Sequence, residues 1–199
     1  MDYFQTEEWL REKFGDTPIT NYSGGADGAD ITFELEGEKY GVKTEAYSFY
    51  GHKTNSKNRK ILTDDELDEG VEHVKIANKT LKRHIGNLSP YVKKLLARDW
   101  FQVKNSDTIF AVSTLLDESK VDGGTGWAVQ MGIDNNKIVY VFDQNKNKWF
   151  RFSYIIHKFI EMDSDPILTD NFAGIGSRDL NENGTNAILR LYKNKFNIL

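Results

Sequence analysis

The chain has 199 residues, with 26 Lys and Arg against 30 Asp and Glu, a net charge of −4 and no cysteine. That length suits one α/β domain over residues 1–199. The missing cysteines exclude disulfides and thiolate metal sites and fit a cytoplasmic protein. The acidic balance weighs against a general nucleic-acid binder, and no apolar run approaches the length of a membrane span.

Taken in chain order, Thr6–Phe14 reads as a short amphipathic helix, with Trp9, Leu10 and Phe14 on one side. Its acidic, aromatic surroundings are unlike a signal peptide. Pro18–Tyr22 reads as a strand feeding a glycine turn, Asp27–Glu36 as a helix and Tyr40–Phe49 as a second strand. Gly51–Lys60 is polar, basic and aperiodic, the pattern of a mobile loop. Leu67, Val71, Val74, Asn78, Leu81 and Ile85 recur at steps of four and three and predict a helix over Asp64–Ile85. Ser89 and Pro90 then open another helix as N-cap and first residue, with Val92, Leu95, Leu96 and Trp100 on its inner face. Thr108–Ser113 reads as a buried parallel strand. Thr125–Gly132 reads as a helix, Lys137–Asp143 as a buried strand and Trp149–Phe152 as an edge strand after a hairpin turn. Tyr154–Met162 is expected to be a short helix, Asn171–Ile175 the last strand and Glu182–Asn197 the terminal helix. Alternating strands and helices predict a doubly wound, mainly parallel sheet.

Three glycine-rich turns stand between apolar runs and helices: Ser23–Asp30 (SGGADGAD), Asp122–Ala128 (DGGTGWA) and Gly174–Asp179 (GIGSRD). Glycines let a backbone approach a ligand closely, and a helix start presents free N–H groups with a positive dipole end. In a parallel sheet all three would lie beyond the carboxyl ends of the strands and meet in one pocket. The first turn nominates Ser23, Gly24 and Gly25 as a backbone nest. Asp27 and Asp30 suit ribose hydroxyls or a bridging metal better than phosphate, which carboxylates repel; the alternative for Asp27 is a plain helix cap. Glu34 lies one helical turn beyond Asp30 and also reads as a solvated helix face. The second turn nominates Gly123, Gly124 and Thr125, with Thr125 as cap and hydroxyl donor; Trp127 reads as a stacking surface or, more simply, as core. From the third come Gly176, Ser177 and Arg178, whose guanidinium fork suits a phosphate or, alternatively, a surface pair with Asp179 or Glu182. A lid is expected from Gly51–Lys60, closing on phosphate through Lys53, Lys57 or Arg59. No phosphate-binding P-loop and no dinucleotide fingerprint is present. His52, His73, His84 and His157 show no ligand spacing, and no cofactor or metal is expected.

At these residues the chain resembles the SLOG superfamily, which includes YpsA-like proteins, the DprA proteins and the LOG phosphoribohydrolases. The usual order places the GIGSR strand before the SGGADGAD strand; here SGGADGAD is N-terminal and GIGSR C-terminal, as in the circularly permuted YpsA-like branch. The match covers about residues 18–50, 104–143 and 170–195. It implies a Rossmann-like fold with a permuted strand–helix unit at the C-terminus, a pocket for a nucleotide or nucleotide-derived small molecule, and pairing as a homodimer. Relatives are implicated in signalling-nucleotide handling and in conflict between bacteria and phages. LOG enzymes carry a glutamate after their GGxGT motif; this chain reads Gly123-Gly124-Thr125-Gly126-Trp127-Ala128-Val129-Gln130, with none at that step. The expected function is therefore ligand capture. Enzymatic cleavage of a glycosidic bond in a nucleoside monophosphate or ADP-ribose derivative, with Asp27, Asp30 or Glu34 as acid/base group, is the alternative. A turn rich in N–H donors is expected to keep these carboxylates ionised and turnover slow or absent. A DprA-like single-stranded DNA binder is a weaker reading. The "molybdenum carrier" name of some permuted relatives finds no support in the residues.

Overall fold

All six residues of the apolar run Thr108–Ser113 are buried, as expected of a strand covered on both faces. Its side chains alternate: Ile109 and Ala111 join one hydrophobic cluster, Phe110 and Val112 the other. This strand is central to an eight-stranded sheet in a computed structural model that describes residues 18–196. The helix expected at Thr6–Phe14 lies outside the described residues.

The elements are β1 (Thr20–Ser23), α1 (Ala29–Lys39), β2 (Lys43–Ser48), β3 (Arg59–Ile61), α2 (Asp64–Leu81), α3 (Pro90–Asn105) and β4 (Thr108–Ser113). There follow α4 (Thr125–Asp134), β5 (Ile138–Asp143), β6 (Lys148–Ser153), β7 (Lys158–Glu161), β8 (Asn171–Gly176) and α5 (Glu182–Phe196). The strand order is β3-β2-β1-β8-β4-β5-β6-β7. Pairing is parallel from β3 across to β5, and antiparallel at β5/β6 and β6/β7. Helices α1 and α5 pack on one face, and α2, α3 and α4 on the other. The protein is thus an α/β structure with a mainly parallel, Rossmann-like sheet. Its last strand, β8, is inserted at the centre between β1 and β4.

Three expectations change. Tyr154–Met162 is not a helix but a turn followed by β7, because Phe152 and Phe159 pair across the β6/β7 hairpin with rings 5.2 Å apart; Ile155 at the turn is 91% exposed. The first helix starts at Ala29, since Gly28 has φ of +90° and cannot continue a helix toward Asp27. The long helix α2 stops at Leu81, where Lys82 adopts a left-handed conformation and donates its N–H to Asn78. Its start is a capping box between Thr63 and Glu66.

Helices α2 and α3 touch at Gly70. A Cβ there would lie 2.7 Å from the Ala97 carbonyl carbon and closer still to its oxygen. Gly70→Ala is therefore expected to lose stability: overpacking against backbone costs about 1–3 kcal/mol, against about 1 kcal/mol gained in helix propensity. At Gly86 nothing lies within 4 Å of the added Cβ, and Gly86→Ala is expected to stay within about 0.5 kcal/mol of wild type. Urea unfolding of both variants checks the pair; equal behaviour contradicts the close approach.

Candidate functional site

Strands β1, β8 and β4 are adjacent and parallel, so their carboxyl ends share one edge of the sheet. From β1 the chain runs outward to β2, and from β4 it runs the other way to β5. Between such diverging connections an open α/β sheet leaves a crevice. A cavity of about 330 Å³ lies there, and all three glycine turns reach it: the first through Ala26 and Asp30, the second through Asp122–Thr125, the third through Gly176–Arg178. Helix α3 supplies a further wall with Leu95, Arg98, Asp99 and Gln102.

The first turn contributes less backbone to this cavity than its glycines suggest. Ser23, Gly24 and Gly25 are buried and do not line it. The Ser23 hydroxyl donates to Glu34 Oε1 at 2.5 Å and accepts the Gly25 N–H at 3.0 Å. A Cβ on Gly24 would fall 2.6 Å from the Arg98 guanidinium and 2.7 Å from Asp30 Oδ2. Gly24 is thus small to admit Arg98, which donates to its carbonyl. Asp27 is exposed and accepts from Asn55 Nδ2 at 3.2 Å. Glu34 faces a separate cavity on the outer side of α1, together with Leu35 and Lys57. Burial raises its carboxyl above the ordinary range, against the lowering effect of Ser23, Ser56 and Arg98.

Asp30 is the candidate of this turn that faces the cavity. It is 3% exposed, and it joins two turns: Oδ1 accepts the Gly176 N–H at 3.0 Å and Oδ2 the Ala26 N–H at 3.5 Å. Burial pushes its carboxyl up to about 7; Arg98 and the two N–H donors oppose that rise, while Asp99 adds to it. The expectation that a donor-rich turn keeps this group ionised is therefore corrected: desolvation outweighs the donors.

Three polar side chains of α3 were not singled out in the sequence. Arg98, Asp99 and Gln102 are all buried. Arg98 Nη2 pairs with Asp99 Oδ1 at 2.7 Å. With its amide oriented to suit its neighbours, Gln102 donates to Asp99 Oδ1 at 3.2 Å and accepts the Gly24 N–H at 2.8 Å. Burial raises the Asp99 carboxyl, against Arg98. A signal existed: Asp99 falls three and four residues after Leu96 and Leu95, a carboxylate on the helix's apolar stripe.

In the second turn, the N-cap of α4 is Gly124 rather than Thr125, and no side chain caps it. Thr125 is the first helical residue and is buried. Arg83, also unflagged, holds the turn from outside by donating to the carbonyls of Gly123 at 2.7 Å and Val121 at 2.6 Å. Trp127 is buried core. In the third turn, a Cβ on Gly176 would meet the Ala29 Cβ at 2.6 Å, so this glycine serves the packing of α1 on β8. The Ser177 hydroxyl accepts the Asp179 N–H at 3.1 Å. Arg178 is exposed and makes no ion pair among the described residues, with Asp179, Glu182 or any other group.

The loop expected to be a mobile lid is docked on the first turn. Thr54 donates its hydroxyl to the Gly25 carbonyl and accepts the Ser56 N–H. His52 is buried, 3.0 Å from the Ser48 hydroxyl and stacked on Phe49. Lys57 pairs with Glu38 and Lys60 with Glu45, and Arg59 begins β3. Lys53 is the basic residue of this loop that faces the site: it lines a recess with Asp27, Tyr91 and Arg178.

No family model matches the chain, and no curated protein matches it. Among solved structures, a protein from Syntrophus aciditrophicus named "putative molybdenum carrier protein" is similar in fold, with a TM-score of 0.50 and 13% identity over 90% of this chain and 95% of that one. No helix among the described residues is long and apolar enough to cross a membrane.

The raised Asp30 carboxyl has a consequence for stability. Between its ordinary value of 3.8 and about 7, the folded protein keeps a proton that the unfolded chain has released. The associated stability is present below the lower value and is lost as pH rises toward 7. His52, pushed down to about 4 by burial and by Arg98, Arg178 and Arg59, acts oppositely, losing stability as pH falls. Asp30→Asn is expected to remove the first contribution, so that the variant's unfolding free energy falls less than wild type's between pH 4 and 7. Chemical denaturation at stepped pH measures this, and parallel profiles contradict it.

Proposed function

We propose that the protein captures a nucleotide or nucleotide-derived small molecule in the cavity at the carboxyl edge of the sheet. The observation that carries this reading is the convergence of three glycine turns, from three adjacent strands, on one cavity of about 330 Å³. That volume is within the ~300–1,000 Å³ usual for small-molecule sites. The uncapped start of α4 adds a weak attraction for negative charge at the rim. The reading draws further support from the resemblance to the SLOG superfamily. The central position of C-terminal β8 beside β1 fits the circularly permuted YpsA-like arrangement, since a terminal strand–helix unit can move between chain ends without changing the sheet. A signalling nucleotide in a bacterial or phage conflict is the kind of ligand this implies. A molybdate-carrier role, suggested by the neighbour's name, suits the inner cavity less well, because Asp30, Asp99 and Asp122 would face the oxyanion.

One observation favours an enzymatic reading as well. Asp30 lines the cavity with a carboxyl near 7, where a general acid or base works best at neutral pH. Hydrolysis of an N-glycosidic bond is the reaction it would serve, in place of the glutamate missing from the second turn.

Mass spectrometry of small molecules released from heat-denatured protein, with chromatography of AMP, NAD and ADP-ribose after incubation, tests both readings. Recovery of a nucleotide-type ligand and unchanged substrates are expected for capture. Release of free base that disappears in Asp30→Asn establishes the hydrolase. A protein that carries no ligand and binds none of the three overturns the proposal.

A further inference from the structure

Helix α1 carries apolar residues on two sides. Phe33 packs into the core, whereas Ile31 and Leu35 lie on the opposite side with Glu34 and Glu38, at the three- and four-residue spacing of one helical face. Leu35 is 52% exposed there. The sheet edge explains the opening: β3 pairs with Ala46–Ser48 alone, so the amino-terminal half of β2 has no strand beyond it among the described residues. A cavity of about 330 Å³ occupies this notch, walled by Ile31, Leu35 and Val42 and bounded by Asn55 and Lys57 of the docked loop. It shares no lining residue with the glycine-turn cavity.

One carboxylate of this notch is left uncompensated. Lys57, the one cation among the lining residues, holds both oxygens of Glu38, at 3.0 and 3.1 Å. Glu34 makes no ion pair among the described residues; its Oε1 accepts from the neutral Ser23 hydroxyl. Arg98 acts on it electrostatically but is itself tied to Asp99 and to the Gly24 carbonyl, and burial of Glu34 outweighs it. Asn55, which also lines the cavity, donates its amide Nδ2 to Asp27 at 3.2 Å. Because a carboxylate only accepts, that contact fixes the amide orientation and leaves the Asn55 carbonyl oxygen with no hydrogen bond among the described residues. The walls are apolar, and the polar groups still open to a ligand include a carboxylate and an amide oxygen, both acceptors.

We infer that this notch is a second ligand site, for a small organic cation: a primary amine on an apolar body, its ammonium against Glu34 and Asn55 and its body along Ile31, Leu35 and Val42. An ammonium brings three donors and a charge to acceptors that lack both, and a charge-assisted hydrogen bond is roughly twice as strong as a neutral one. An anion would meet two glutamates and one lysine that is already paired. A neutral apolar molecule would desolvate Glu34 further without giving it a partner. The volume stands at the lower end of the ~300–1,000 Å³ usual for small-molecule sites, which suits a small amine better than a protein segment. The site is independent of the capture reading and stands or falls without it.

Calorimetry with phenethylamine, phenethyl alcohol and hydrocinnamate, which share an apolar body and differ in the charge of the head, tests the site on wild type, Glu34→Gln and Leu35→Ala. The substituted amide still accepts from Ser23, and Leu35 is half-exposed, so both variants are expected to melt near wild type. On wild type the amine is expected to bind about tenfold or more tighter than the alcohol, and the acid not at all. Glu34→Gln is expected to weaken the amine about tenfold or more and leave the alcohol where it was, as for loss of a charge-assisted hydrogen bond. Leu35→Ala is expected to weaken amine and alcohol together, by about threefold or more, through lost apolar contact. Leu35 lines this notch and not the glycine-turn cavity, so that loss separates binding here from binding against Asp30 and Asp99. An acid or alcohol as tight as the amine, an amine affinity that Leu35→Ala leaves unchanged, or no binding of the amine to wild type overturns the proposal. The wild-type comparison and Leu35→Ala decide it even if Glu34→Gln unfolds.

Discussion

The Asp30 carboxyl accepts backbone N–H groups from Ala26 in one glycine turn and Gly176 in another, and the cavity exists because those two turns are held together. A buried carboxylate is costly unless charges and donors surround it. Here the compensation comes from Arg98, which itself is tied to Asp99 and to the Gly24 carbonyl. Two carboxyls thus share one buried guanidinium. Burial displaces both acids upward, and Arg98 opposes the rise without cancelling it.

Much of the glycine content answers to steric demands of this clamp. Gly24 leaves room for Arg98, Gly28 for the backbone of Arg178, and Gly174 for the Phe33 ring. Gly28 adds a conformational requirement, with φ of +90° at the entrance to α1. By contrast Gly123 and Gly124 have open space where a side chain would be, and Gly123, with φ of +61°, answers to backbone conformation rather than packing. A motif that looks uniform in sequence therefore divides into glycines required by packing and glycines that packing does not require.

The segment between β2 and β3 carries a similar lesson. Its polar, basic composition has the look of a mobile loop, yet Ser56 and His52 turn inward and Thr54 fastens it to the first turn through the Gly25 carbonyl. What remains free is Lys53, facing Arg178 across the outer recess.

The alternating strands and helices, the buried run Thr108–Ser113 and the meeting of three turns at one edge were legible in the residues, because hydrophobic periodicity and glycine placement are local signals that a parallel sheet converts into position. Arg178 and Asp30 were legible for the same reason, each lying inside a turn motif. Arg98, Asp99 and Gln102 escaped notice because their role comes from α3 packing against strands more than seventy residues away in the chain, and a charged residue on a helix reads as surface until its neighbours are known. Pairing of Phe152 with Phe159 likewise turned an expected helix into β7, since a cross-strand contact outweighed local propensity. Sequence by itself determined which three turns meet at the sheet edge; tertiary structure decided which backbone and which side chains line the cavity and where its charge lies, because burial and long-range pairing set those energies.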